Sequence, residues 1–126
     1  MTTEEIIEGN KLIAEFMGAH YDSTMTDYWF NIPKECLRNW SSPFAPKTTD
    51  LQFHSSYDWI MPVVEKIEQL LFPNDVFYNI HILGGCCVCI ISSDMDELGQ
   101  YSEPTKILTV FKAVVEFIKW YNEQSK

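Results

Sequence analysis

The chain predicts an α+β fold: three helices packed on a small antiparallel sheet that contains a central hairpin, all in one domain over residues 1–126. Three observations carry this. The stretch from Pro104 to Asn122 repeats apolar residues at helical spacing, and the run from Val76 to Ile91 is rich in β-branched and aromatic residues on both sides of Gly84 and Gly85. A composition of 46% hydrophobic and 21% charged residues is that of a folding chain, and 126 residues suffice for a substantial core.

The elements follow in order. Over residues 4–17, Ile6, Gly9, Leu12, Ile13, Phe16 and Met17 fall on one helical arc, and Gly18 stands where a left-handed residue ends a helix. From Ala19 to Asp50 the pattern is irregular, with Pro33, Pro43 and Pro46, and it predicts only short extended pieces near 28–32 and 35–38. Leu51 to His54 reads as an extended lead-in to a second helix, with Ser55 and Asp58 at capping-box spacing. Trp59, Val63, Ile67 and Leu70 form its stripe, flanked by Ile60, Val64 and Leu71. Pro62 interrupts it, so the helix either starts there after a capped turn or kinks there.

Pro73, Asn74 and Asp75 stop that helix. Val76 to Leu83 and Cys86 to Ile91 are then two strands, and the two glycines between them predict a tight two-residue turn. Ser92 to Glu103 is polar and acidic and reads as a surface loop. Pro104 suits the first position of the last helix, with Ser102 or Glu103 at its start. In that helix Ile107, Leu108, Val110, Phe111, Val114, Val115, Phe117, Ile118 and Tyr121 cover roughly half the circumference, which implies contact with more than one element. Thr109, Lys112, Glu116, Lys119 and Glu123 share the other side, and Trp120 projects about 150° from the centre of the apolar arc.

The formal charge of -9, from 18 acidic and 9 basic residues, offers phosphate backbones little to condense on, so direct nucleic-acid binding is excluded as an expectation. An acidic surface serves solubility or a basic protein partner. The opening residues lack a basic, then apolar, leader, and no run approaches the roughly 18 apolar residues of a span, so the expectation is a cytoplasmic protein without membrane contact. Cys36, Cys86, Cys87 and Cys89 are then expected to stay reduced.

Chemistry-bearing clusters are sparse. Cys86, Cys87 and Cys89 with His81 have the ligand types of a zinc site, but on a strand Cys86 points away from the other two and no second ligand pair stands at finger-like spacing. They read as small core hydrophobes. His54, Ser55, Ser56 and Asp58 contain the residue types of a hydrolytic triad without nucleophile-elbow glycines, and capping accounts for the serines. Asp94, Asp96 and Glu97 lack the glycine and distal glutamate of a calcium loop. No catalytic residue, metal site or cofactor is therefore assigned. The aromatic residues are the better lead, because Trp and Tyr are enriched at interface hot spots. Trp120, Tyr28, Trp29, Trp40, Phe44, His54 and Tyr57 are the expected binding residues.

Three blocks carry a resemblance: Ile13 to Gly18 (IAEFMG), Phe53 to Glu68 (FHSSYDWIMPVVEKIE) and Lys112 to Asn122 (KAVVEFIKWYN). Together they cover about a quarter of the chain, and with them it resembles an uncharacterised family of short proteins encoded in phage and gut Bacteroidetes genomes. The resemblance implies a shared origin and fold and brings no activity with it. Ala19 to Asp50 and the cysteine-rich hairpin lie outside it. By analogy with small phage proteins, the expected function is non-enzymatic binding of a host protein through exposed aromatics, with homo-oligomerisation as a companion expectation. The alternative is a binder of a small nucleotide-like ligand, its base stacked on aromatic faces near Lys34, Arg38 and Lys47. An enzyme using His54 with Asp58 or a cysteine stands third.

Overall fold

The computed structural model describes residues 1–22 and 27–124. Its order is α1 (Thr3–Phe16), β1 (His20–Asp22), β2 (Tyr28–Phe30), α2 (Tyr57–Gln69), β3 (Tyr78–Leu83), β4 (Cys87–Ser92), β5 (Glu97–Ser102) and α3 (Lys106–Gln124), with 3-10 turns at Thr48–Asp50 and Pro73–Asp75. The α+β expectation is met. The strands form two antiparallel sheets, a β1–β2 pair and a β3–β4–β5 sheet.

α3 is the hub of the core. Val110, Phe111, Val114, Phe117 and Ile118 are fully buried, and the helix packs against α1, α2, β4 and β5. The breadth of its apolar arc explains why: a face half a turn wide buries completely only between several neighbours. α1 crosses it at Gly9, where a Cβ would lie 2.6 Å from Phe111 Cζ, so the glycine permits an approach no other residue allows. α1 begins in a capping box of Thr2 and Glu5 and ends as Gly18 turns the chain at a φ of +86°. The Lys66 ammonium then donates to the Phe16 carbonyl at 2.6 Å, tying α2 to the end of α1.

Several boundaries differ from the sequence expectation, each for a local reason. α1, with 14 residues, is one residue longer than α2. The extended piece expected at 35–38 is a series of turns, held by Cys36 N–H to Pro33 and Leu37 N–H to Lys34 carbonyls. The lead-in at Leu51 to His54 turns as well, with Ser55 and Ser56 N–H both bonded to the Gln52 carbonyl. α2 has Ser56 at its N-cap with no side-chain bond, and the Ser55–Asp58 box does not form: the cap falls one residue later, Ser55 N–H is bonded to the Gln52 carbonyl, and Asp58 accepts from Asn39 at 3.0 Å. Pro62 neither starts nor ends α2: the helix runs through it, at the sixth position, with one backbone donor missing.

The hairpin turn holds three residues rather than two. Leu83 pairs with Cys87, which leaves Gly84, Gly85 and Cys86 in the turn, the last two at φ +69° and +58°. Beyond it the expected acidic loop contains a strand, β5, paired with β4 through a register shift at Ile90/Ile91. α3 starts two residues after Pro104, with Thr105 Oγ1 accepting from Leu108 N–H at 3.3 Å. Thr109, expected among the charges, is fully buried: its hydroxyl accepts from Glu103 N–H at 3.0 Å and lies 3.1 Å from the Cys86 carbonyl and 2.8 Å from that of Thr105. It knits the hairpin turn to the helix start. Of the irregular span 19–50, residues 23–26 lie outside the described residues.

Candidate functional site

The seven expected binding residues do not form one surface. Trp40 and Tyr57 flank the start of α2, where Asn39 bonds Asp58 and the Cys36 thiol bonds the Trp59 carbonyl, while Trp29 and Phe44 share a shallow hollow with Trp40 and Tyr28 lies nearly parallel to Phe44. Trp120 lies at the other end, in a groove with Leu70 and Leu71. A helix of 13 residues spans about 20 Å, so the two groups are separate faces.

At the first face Trp29 is core, contrary to expectation. Its indole is buried, stacks on Tyr21 at 4.8 Å, donates to Thr48 Oγ1 at 3.0 Å and leaves no face for a partner. Tyr28 and Trp40 are half-buried, and Phe44 is 63% exposed. Tyr28 and Phe44 lie nearly parallel at 6.3 Å, the Lys47 ammonium stands 5.7 Å from the Tyr28 ring, and Trp40 Nε1 donates to the Phe44 carbonyl at 2.8 Å. Tyr57 is exposed, beside a separate shallow groove with Glu35, Arg38 and Met61.

His54 belongs to neither face. The ring packs edge-on to Phe111 at 6.0 Å, and Nδ1 lies 3.0 Å from Asn10 Nδ2. The same amide donates to the Leu51 carbonyl at 3.3 Å, and turning it over would set its oxygen against that carbonyl. Nδ1 therefore accepts, the proton sits on Nε2, and burial holds the His54 pKa below the ordinary imidazole value. Asp58 does not approach this ring; it lies with Asn39 and, at 3.9 Å, Arg38. His54 thus joins α1 to the turn before α2, apart from the other expected binding residues.

Cys87 and Cys89 face the solvent side of the sheet in half-buried positions, with His81 paired opposite Cys89. Cys36 alone is a core thiol, its pKa pushed up to about 12 by burial. The reading of Cys86, Cys87 and Cys89 as small core hydrophobes is therefore corrected: all three are half-buried, and the buried thiol is that of Cys36. All four are free, and among the described residues no three His, Cys, Asp or Glu side chains converge as metal ligands.

The Trp120 face is the more developed. Its groove has a volume of about 550 Å³ and is lined by Leu70, Leu71, Phe72, Pro73, Val76, Tyr78, Trp120, Tyr121 and Gln124. No lining residue is charged, in a chain of which 21% of residues are. The expectation that Trp120 stands out among charges is corrected: the indole is half-buried, 5.2 Å from Tyr78, 5.6 Å from Phe117 and 5.7 Å from Phe72. Its Cα lies outside the apolar arc, but long helical side chains lean back over the preceding turn, and that turn offers Phe117. Leu71, 68% exposed, stands at the groove's edge.

Leu71, Phe72 and Tyr78 lie outside the binding residues that the sequence suggests. One signal was present: a Leu-Leu-Phe run continues past the polar end of α2 and stops at a proline, leaving apolar side chains where the helix has no core to face. No helix among the described residues is long and apolar enough to cross a membrane. Compared with protein-family models, curated proteins and solved structures, the chain matches none.

Proposed function

We propose that the protein acts by binding, and that it engages a protein partner, a host-cell protein on the reading of phage-like origin, through the groove around Trp120. One observation carries this: an uncharged aromatic hollow with an exposed leucine on its edge, on a chain of charge -9. Interface centres have this character, with Trp and Tyr packed in a desolvated patch surrounded by polar surface. Because its floor is already packed ring on ring, the groove is pre-formed, and a partner binds without ordering it first.

The test separates the groove from the fold. Leu71→Ser removes an exposed apolar side chain and should leave the urea midpoint unchanged, whereas Trp120→Ala removes a ring that also packs on Phe117. Capture of a partner from bacterial extract should fall at least tenfold with either, as for a hot spot of about 1.4 kcal/mol or more. Retention by both variants refutes the groove. Sedimentation of the pure protein decides whether the partner is a second copy, the homo-oligomer of the sequence reading.

The second reading, a small nucleotide-like ligand, is favoured at the other face by Lys47 beside the Tyr28 and Phe44 rings. The Trp120 groove has no Lys or Arg in its lining to meet a phosphate. A thermal-shift series with nucleotides, on wild type and Phe44→Ala, tests it: stabilisation should rise with ligand concentration and vanish in the variant.

A further inference from the structure

Beside the uncharged lining of the groove, two turns among the described residues carry acidic side chains. Asp75 closes the 3-10 turn between Pro73 and Val76, two of the lining residues. Asp94 and Asp96 belong to the turn after β4, and hydrogen bonds place that turn beside Tyr78: Ser92 pairs with Tyr78, Phe77 N–H donates to Ser93 Oγ at 3.2 Å, and Ser93 N–H donates to the Phe77 carbonyl at 2.7 Å. The Tyr78 pKa is raised, first by burial and then by the charges of Asp96 and Asp94. None of the three aspartates joins an ion pair among the described residues.

Among the described residues, three lysines of the helices that flank the groove are engaged elsewhere. Lys66 donates to the Phe16 carbonyl, and Lys112 and Lys119 approach Glu116 at 2.8 and 3.9 Å. The exposed apolar residues Leu71, Phe77 and Met95 lie on these same segments, Met95 at 81% exposure on the turn between Asp94 and Asp96. Apolar surface and unneutralised carboxylates therefore alternate across this end of the molecule.

We infer that the groove's occupant is a cationic amphipathic segment of a protein partner, its apolar side chains on Leu71, Tyr78 and Trp120 and its Lys or Arg residues toward Asp75, Asp94 and Asp96. The inference rests on the groove reading above and adds the partner's charge. A second copy of this chain fits poorly, since it would bring the same three carboxylates against themselves. An aromatic cage for a single ammonium group is also excluded, because Phe72, Tyr78 and Trp120 touch one another at 5.2 to 5.7 Å and leave no space between rings. The cation lies over the outer faces and the rim.

The test uses three synthetic helical peptides of about 14 residues with the same leucine face and polar faces of Lys, Gln or Glu. Binding to the full chain is measured by anisotropy at about 0.05 M and about 0.5 M salt. Two triple variants remove equal charge: Asp75→Asn with Asp94→Asn and Asp96→Asn at the rim, and Glu4→Gln with Glu8→Gln and Glu15→Gln on exposed positions of α1. The Lys peptide should bind roughly tenfold tighter than the Gln peptide at low salt and lose that margin at high salt. The rim variant should remove the margin, the α1 variant should keep most of it, and Leu71→Ser should weaken Lys and Gln peptides alike.

Equal weakening by both triple variants would mean general attraction to an acidic chain, and the inference falls. Equal binding of Lys and Gln peptides, both lost in Leu71→Ser, leaves the groove reading intact and overturns only the charge assignment. Binding indifferent to Leu71→Ser overturns both.

Discussion

Gly9→Ala sets two known effects against each other at one position, and their sizes decide the outcome. Glycine inside an exposed helix is worse than alanine by about 1 kcal/mol, so propensity alone predicts that the substitution stabilises α1. At Gly9, however, the new methyl would lie 2.6 Å from Phe111 Cζ, 2.9 Å from Val115 Cγ2 and 3.1 Å from Phe111 Cε2. Phe111 is fully buried and Val115 nearly so, and neither is the free end of a flexible side chain. Overpacking of this kind costs about 1–3 kcal/mol, and two contacts inside 3 Å point to the upper half of that range. The net effect should be a loss of roughly 1–2 kcal/mol, which urea denaturation reads as a midpoint lowered by about 0.5–1 M. Phe111→Leu should relieve the clash, so a double-mutant cycle should give a favourable coupling of about 1 kcal/mol. A Gly9→Ala protein as stable as wild type, or more so, would refute the close α1–α3 crossing.

Three further outcomes follow from the buried polar groups. Thr109→Val removes the hydroxyl that serves Glu103 N–H and the Cys86 and Thr105 carbonyls, and it should cost about 1–3 kcal/mol in urea denaturation, while Thr109→Ser restores most of it. For His54 the folded pKa lies below the ordinary 6.5, so near that pH the unfolded chain binds more protons. Its stabilisation is complete above about pH 6.5 and is lost as pH falls through the folded value, so the urea midpoint should drop over this window and His54→Gln should flatten the drop. An NMR titration placing the His54 pKa at or above 6.5 contradicts this. Cys36, buried and with its pKa about 12, should resist alkylation at pH 8 in the native protein, while Cys86 and Cys87 label; in urea all four should label.

Much of the fold is readable in the residues, for identifiable reasons. α3 is legible because its apolar arc is long and regular, and the β3–β4 hairpin because two β-rich runs flank a glycine pair. β5 is not, since Glu97–Ser102 borrows its pairing from β4 and contributes little apolar alternation of its own. Thr109 misleads because a hydroxyl scores as polar on a helical wheel, while its place is fixed in part by a carbonyl from a turn 23 residues earlier. The candidate site is legible only in part: Trp120 is identifiable as out of pattern, but its neighbours come from the end of α2 and the start of β3. Aromatic surplus also says nothing of depth, and so Trp29 and Phe44, both expected at a surface, end up buried and exposed respectively.

The β3–β4–β5 sheet bears on the proposed mode of association. Open strand edges invite pairing with another chain, and here both edges are guarded. Along β3, packed against α2, Glu68 Oε2 accepts from Ile80 N–H at 3.1 Å and occupies a donor an incoming strand would need. Along β5, the register shift pairs Ile90 with Gly99 but Ile91 with Glu97, which leaves Leu98 unpaired and bends the strand where it starts. Strand addition therefore meets a carboxylate on one side and a bulge on the other. On the proposed binding function, association is left to surfaces that offer side chains rather than backbone, and of these the Trp120 groove combines an exposed leucine, ring faces and an uncharged floor. Replacing Glu68 with Ala should expose the β3 edge, and the concentration-dependent self-association expected to follow would differ from groove binding in its indifference to Leu71→Ser.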